Sequence, residues 1–324
     1  MKGKDIRTPI ILLLVSLCVA LGATEVCLRH FFSDRLSYPR DERNLTYRYD
    51  AELGWFPKEN QSTHYKGSRE IEVHHNSRGF RDPEPPGDGK PAILFMGDSF
   101  VWGYDVEQSE RFTDLLRKRL TNWDVYNLGV SGYGTDQEYL LLTKEMDFYR
   151  PRIVVLVFCR ENDESDNSKN MVYGGYYKPY FKVVPNGLVL EGVPVPKSAN
   201  YFFANHPVLS SSYCFRLLAL SYFRFNSPPP LVLDNPTPQL FDLFIKLVQS
   251  RGAKLIVAST LPYPGLASFL AGRGVDFINL DNPYRFPSHG FHWTPKGHKV
   301  VSDRIFNFLT RKGYLSASGS PGND

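Results

Sequence analysis

A chain of 324 residues, 42% hydrophobic and 22% charged, has ordinary globular composition and enough length for one large domain with extensions. Its formal charge of +4 is spread over scattered Lys and Arg residues with no basic stripe, which argues against a nucleic-acid partner. Four cysteines, Cys18, Cys27, Cys159 and Cys214, have no CxxC spacing and no Cys/His cluster that would read as zinc ligands. A Cys159–Cys214 disulfide is open, but two buried small hydrophobes are the simpler reading.

Lys2, Lys4 and Arg7 precede an uncharged run from Thr8 to Thr24. A basic flank of this kind leaves the amino end in the cytoplasm and exports the rest of the chain. Ala20 and Gly22 would suit a signal-peptide cleavage site before Ala23, which would release a secreted protein. The helical pattern nevertheless continues without a breaker through Val26, Cys27, Leu28 and Phe31, so residues 1–28 are read as a retained membrane anchor.

Residues 29–90 form a polar, turn-rich extension, with short alternating pieces such as Glu70–His74 that suggest edge strands without a core of their own. It ends in the linker Pro83-Glu84-Pro85-Pro86-Gly87-Asp88-Gly89-Lys90, which suits neither helix nor central strand. The structural domain is then expected over 91–312, with a flexible tail at 313–324.

Within that domain strands and helices alternate. Strands are predicted at Ala92–Met96, Asp124–Leu128, Ile153–Phe158, Lys254–Ser259 and Val275–Leu280, and helices at about 108–120, 135–148, 238–251 and 295–309. Pro238 and Pro295 fall where a first helical turn tolerates proline. Near-continuous apolar strands separated by helices predict an α/β fold: a mainly parallel five-stranded sheet covered on both sides, in a flavodoxin-like three-layer α/β/α arrangement. A departure at 164–236, holding a predicted hairpin at 181–195 and many aromatic residues, reads as a lid or substrate wall or as added packing.

Four loops carry the chemistry. Gly97-Asp98-Ser99 ends the first strand, Gly129-Val130-Ser131-Gly132 comes after the second, Arg160-Glu161-Asn162 after the third, and His289-Gly290-Phe291-His292 introduces the last helix. All fall at the carboxyl edge, where open α/β sheets place their sites. Ser99 and His292 suit a nucleophile and its base, because an alcohol needs a nearby imidazole to lose its proton at neutral pH. Gly132 also fits a tight turn, with Gly129 and Gly134 leaving the register open, and Asn162 also fits a cap. His298 is read as structural. A metal pair of His289 and His292 lacks a supporting acid or thiol cluster.

These four blocks, in this order, resemble the SGNH (GDSL-type) hydrolase superfamily over about Ala92 to Leu309. The segments Leu53-Gly54-Trp55 and Asn76-Ser77-Arg78-Gly79-Phe80-Arg81-Asp82 are similar to a region ahead of the catalytic domain in membrane-anchored bacterial members. The resemblance implies Ser99 as nucleophile, His292 as base and an oxyanion hole from Ser99, Gly132 and Asn162, with no cofactor and no metal. It implies an extracytoplasmic serine esterase acting on a small O-acyl ester of a saccharide. An O-acyltransferase and an inactive polysaccharide-binding or scaffolding protein are the alternatives. Two positions depart from the family pattern. Gly290 and His289 stand where an acid usually orients the histidine, which leaves a backbone carbonyl or another carboxylate such as Asp281 for that role. Arg160 stands where glycine is common, and a long cation there would narrow the pocket or bind an anionic substrate.

Overall fold

The computed structural model describes residues 7–38, 46–87 and 89–316; Lys2, Lys4, Asp88 and residues 317–324 of the expected tail lie outside the described residues. Its centre is a five-stranded sheet in the spatial order Asp276–Asn279, Lys254–Ser259, Ile153–Phe158, Ala92–Gly97, Asp124–Asn127, with every neighbouring pair parallel. Read from its other edge this is strand order 2-1-3-4-5, the flavodoxin-like order. Its switch point falls between Ala92–Gly97 and Ile153–Phe158.

Successive side chains of these strands enter different cores. Leu94, Met96, Leu156 and Phe158 pack on one face with helices Thr135–Tyr149, Thr237–Ser250 and Pro264–Ala271. Ile93, Phe95, Val155 and Val157 pack on the other with helices Phe112–Arg119 and Pro295–Arg311. Both faces being covered is why the central strands Ala92–Gly97 and Ile153–Phe158 carry no polar side chain. Helix Pro264–Ala271 is not among the predicted helices, because Pro262, Pro264 and Gly265 carry turn chemistry.

The boundary expected at residue 91 does not hold. Tyr47–Asp50 pairs with Gly54–Pro57, and Ser62–Lys66 with Glu70–His74, as two antiparallel hairpins. Leu53, Trp55, Phe56 and Phe80 from this extension join the same core as helix Thr135–Tyr149. Arg81 is fully buried and donates hydrogen bonds to the carbonyls of Gly103, Val106 and Glu72. Strands too short for a core of their own have borrowed the domain's, and only the stretch after Asp82 behaves as a linker.

The departure at 164–236 packs on the extension. Its hairpin spans Tyr180–Val184 and Gly187–Glu191, and helices Ala199–Asn205 and Tyr213–Asn226 come after it. Gly54, at φ +86, has no room for a side chain against the Tyr177 carbonyl. The cysteines are all free: Cys159 is buried, whereas Cys214 is half-buried, so the two are neither bonded nor a buried pair.

Helix Arg7–Phe31 buries no residue and is long and apolar enough to cross a membrane. Its 25 residues span ~38 Å against ~30 Å for a bilayer core.

Candidate active site

Ser99 begins a single helical turn, Ser99–Trp102, directly after the strand Ala92–Gly97. Asp98 caps that turn, its carboxylate accepting from the Phe100 N–H at 2.9 Å. Gly97 permits the sharp exit, since a side chain there would collide with Val101. Ser99 is left half-buried, facing a cavity of about 310 Å³ that Gly132, Asn162 and His292 also line. The larger cavity, about 980 Å³, opens beside Ala92, Asp124 and Arg152 at the amino edge of the sheet, away from these residues.

His292 Nε2 lies 2.7 Å from Ser99 Oγ, a hydrogen bond joining residues 193 apart in sequence. The imidazole is held by packing. Tyr104 stacks on it at 4.5 Å between centroids, Phe100 lies against it at 5.0 Å, and Gly290 passes so close that a β-carbon would sit 2.7 Å from Cε1. The loop reaches this position through three consecutive left-handed residues, His289, Gly290 and Phe291 at φ +52, +88 and +54, a conformation that strains the two non-glycine members.

Asp281 is not the orienter. Its N–H is caught by Asn279 Oδ1, its carbonyl by Arg304, and its half-exposed carboxylate faces Arg285 at 3.9 Å. Nδ1 of His292 is buried without a hydrogen-bond partner among the described residues. Burial lowers the pKa of His292 to about 4; the one influence favouring the charged ring is the backbone of His289, which approaches without hydrogen-bond geometry. The base is therefore neutral at pH 7, as a proton acceptor must be.

The oxyanion donors form a second constellation. Val130 to Tyr133 make a turn closed by the Tyr133 N–H on the Val130 carbonyl at 3.1 Å, and Gly132, at φ +81, occupies the position where a type II turn requires glycine. Trp55 of the extension fixes the peptide ahead of it: its indole Nε1 donates to the Ser131 carbonyl at 3.1 Å. A trans peptide points its C=O and N–H in opposite directions, so Trp55 sets the direction of the Gly132 N–H. Neither that N–H nor the Ser99 N–H is taken by an acceptor among the described residues.

Asn162 Nδ2 contacts Asp166 Oδ2 at 3.1 Å and the Tyr173 hydroxyl at 3.0 Å, and those two are 2.9 Å apart. This near-equilateral triangle puts both acceptors about 60° apart as seen from the nitrogen, whereas the two N–H bonds of an amide diverge by about 120°. An N–H about 30° off line can meet each acceptor, so Nδ2 is held by Asp166 and Tyr173, while Oδ1 of Asn162 is buried without a hydrogen-bond partner among the described residues.

Arg160 does not enter the cavity. It pairs with Glu164 at 3.2 Å and lies over the Tyr263 ring at 4.2 Å. Glu161 bonds Arg285 at 2.6 Å at the cavity margin. His298 is fully buried behind the site, its Nδ1 accepting from the Phe112 N–H. Asp98, Cys159 and Asp163 bring donor atoms within 4.8 Å of one another, the grouping among the described residues that could approach an ion. Burial raises all three pKa values, Asp98 to about 7, and both carboxyls are occupied by backbone amides.

Trp55, Tyr104 and Tyr173 are the participants that motif reasoning misses. Tyr104 is buttressed in turn by a hydroxyl–hydroxyl contact with Tyr65 of the extension. In a chain with 19 tyrosines no local pattern marks Tyr104 or Tyr173, and the segment Leu53-Gly54-Trp55 stands out in the sequence without showing what Trp55 does.

No protein-family model matches the chain, and no curated protein matches it. Among solved structures it is similar to an esterase, EstA, from Pseudoalteromonas sp., at 11% identity and TM-score 0.41, over 69% of this chain and 100% of that one. It is similar to a member of the lipolytic G-D-S-L family from Veillonella parvula at 12% identity and TM-score 0.38, over 68% and 98% of the two chains. A two-domain esterase active on acetylated mannans overlaps 72% of this chain and 52% of its own, at 11% identity and TM-score 0.41. Overlap of this size carries no chemistry across.

Proposed function

We propose that the protein is a serine ester hydrolase of the SGNH type, held at a membrane by Arg7–Phe31 with its catalytic domain outside the cytoplasm, and acting on a small O-acyl ester of a saccharide. The observation that carries the chemistry is the 2.7 Å contact between Ser99 Oγ and a buried, neutral His292 at the mouth of a cavity. Ser99 attacks the ester carbonyl while His292 Nε2 takes its proton. The charge that develops on the carbonyl oxygen is met by the N–H groups of Ser99 and Gly132 and by the side-chain amide of Asn162, each donor typically contributing about 100 to 1000-fold in rate. His292 returns the proton to the leaving alcohol, and water activated by the same imidazole releases the acid.

A cavity of about 310 Å³ favours a short acyl group. The saccharide alcohol is supported by Phe100, Tyr104 and Tyr173, the aromatic side chains that line this cavity, since aromatic faces suit the apolar faces of sugar rings.

The test is turnover of p-nitrophenyl acetate, butyrate and octanoate, and of an acetylated polysaccharide, by the folded protein. Hydrolysis of the two short esters over the octanoate, with acetate release from the polysaccharide, supports the reading. Acetyl transfer to added saccharide faster than to water moves the acceptor to a sugar hydroxyl. No turnover of any ester overturns it.

A further inference from the structure

Between Gly192 and Leu233 the chain has no Asp or Glu, although the whole sequence holds 34. Inside that stretch, helix Tyr213–Asn226 turns Arg216 and Ala219 inward and leaves Leu218, Tyr222 and Phe225 outward, 70%, 63% and 85% exposed. Their i, i+4, i+7 spacing puts the three on one face. Val208 before the helix and Val232 after it are exposed to a similar degree. Contiguous apolar groups left in the open mark a surface made to be covered.

The start of this helix is tied to the apolar helix Arg7–Phe31. The Glu25 carboxylate accepts from the N–H groups of Tyr213 and Cys214 and from the Ser212 hydroxyl, all at 2.8–2.9 Å, and Arg29 donates to the Ser211 carbonyl at 3.0 Å. Glu25 is the first charged residue after the uncharged run that ends at Thr24, so it stands where such a run leaves the bilayer. A helix capped by that carboxylate begins at the membrane surface.

We propose that Tyr213–Asn226 is an interfacial helix, and that the surface covering Leu218, Tyr222 and Phe225 is the lipid bilayer. The inference rests on the reading of Arg7–Phe31 as an anchor. An apolar face beside Arg224, in a segment without acids, suits a surface of acyl chains and anionic headgroups. The catalytic domain is then held at two points, which sets its tilt as well as its distance from the membrane.

The four native tryptophans are all buried, which makes single introduced tryptophans clean reporters. The full chain is reconstituted in phosphatidylcholine–phosphatidylglycerol vesicles containing brominated acyl chains. Leu218→Trp and Phe225→Trp report on the helix, Leu14→Trp on the anchor, and Phe148→Trp, 52% exposed on the helix Thr135–Tyr149, on the body of the domain. The proposal expects quenching at positions 218 and 225 several-fold above that at 148. Quenching at 14 with positions 218 and 225 no different from 148 overturns it while leaving the anchor standing. Quenching at none of the four removes the anchor and the proposal together. Shielding of position 218 from acrylamide without bromolipid quenching means a protein covers the face, which also overturns it.

Discussion

Replacing Trp55 by Phe should reduce catalysis more than its distance from the nucleophile suggests. The indole is fully buried, set edge-on to Tyr133 at 5.5 Å and Tyr176 at 6.0 Å, and its Nε1 donates to the Ser131 carbonyl at 3.1 Å. Phenylalanine keeps most of the ring packing and removes the donor. The lost hydrogen bond costs about 1 kcal/mol of stability, and the smaller ring adds a similar amount through the space it leaves. The rate effect has a different origin. The freed Ser131–Gly132 peptide no longer holds its N–H toward the developing charge. Full loss of one oxyanion donor is worth about 100 to 1000-fold, so partial loss should lower kcat by roughly 10 to 100-fold with KM little changed. Steady-state hydrolysis of p-nitrophenyl acetate beside a thermal melt separates the two effects. Tyr133→Phe is the control, because it deletes the hydroxyl bond to the Trp55 carbonyl without touching Ser131. It should lower the melting temperature comparably and change kcat less than about 3-fold. Trp55→Phe that loses stability but keeps kcat would refute the reasoning.

The acid limb of kcat/KM should have its midpoint near pH 4, where His292 takes up a proton and ceases to be a base, and not near 6.5. The same depressed pKa makes His292 stabilise the fold fully above about pH 6.5, a contribution lost as pH falls toward 4, visible as a falling melting temperature over that window. Asp98, pushed up to about 7 by burial, should put a carboxylate 3.4 Å from Ser99 Oγ as pH rises through neutrality and oppose the oxyanion. Asp98→Asn keeps the cap on Phe100 and should remove the resulting alkaline decline in a pH–rate profile; a decline that persists would place its cause elsewhere. Asp281→Asn should change kcat by less than about 2-fold in the same ester assay, since its carboxylate faces Arg285 and not His292.

Ser99 and His292 are legible in the sequence because each ends a locally recognisable junction: an apolar strand into Gly-Asp-Ser, and a Thr-Pro helix start just after the histidine. Edge loops of one parallel sheet converge whatever lies between them, so 193 residues of separation do not hide the pair. Trp55 and Tyr104 obey no such rule. Trp55 reaches Ser131 across 76 residues from a segment whose short strands suggest a peripheral extension, and only packing reveals that these strands share the domain core. Asp281 illustrates the opposite error. Lying between the last strand and the histidine loop makes it the natural acid by position, but Asn279, Arg304 and Arg285 hold its backbone and carboxylate in place. Arg160 has the look of a pocket cation in the sequence, yet Glu164, four residues later in the short helix Asp163–Asn167, is the partner that draws it away.

The most direct measurement is covalent labelling of the folded protein by a fluorophosphonate, read by intact mass and by peptide mapping, in wild type, Ser99→Ala and His292→Ala. A single adduct on Ser99 in wild type, none in Ser99→Ala, and labelling slowed by at least about 100-fold in His292→Ala is the predicted result. An unlabelled wild type, or an adduct formed equally well without His292, would contradict a serine nucleophile activated by that imidazole.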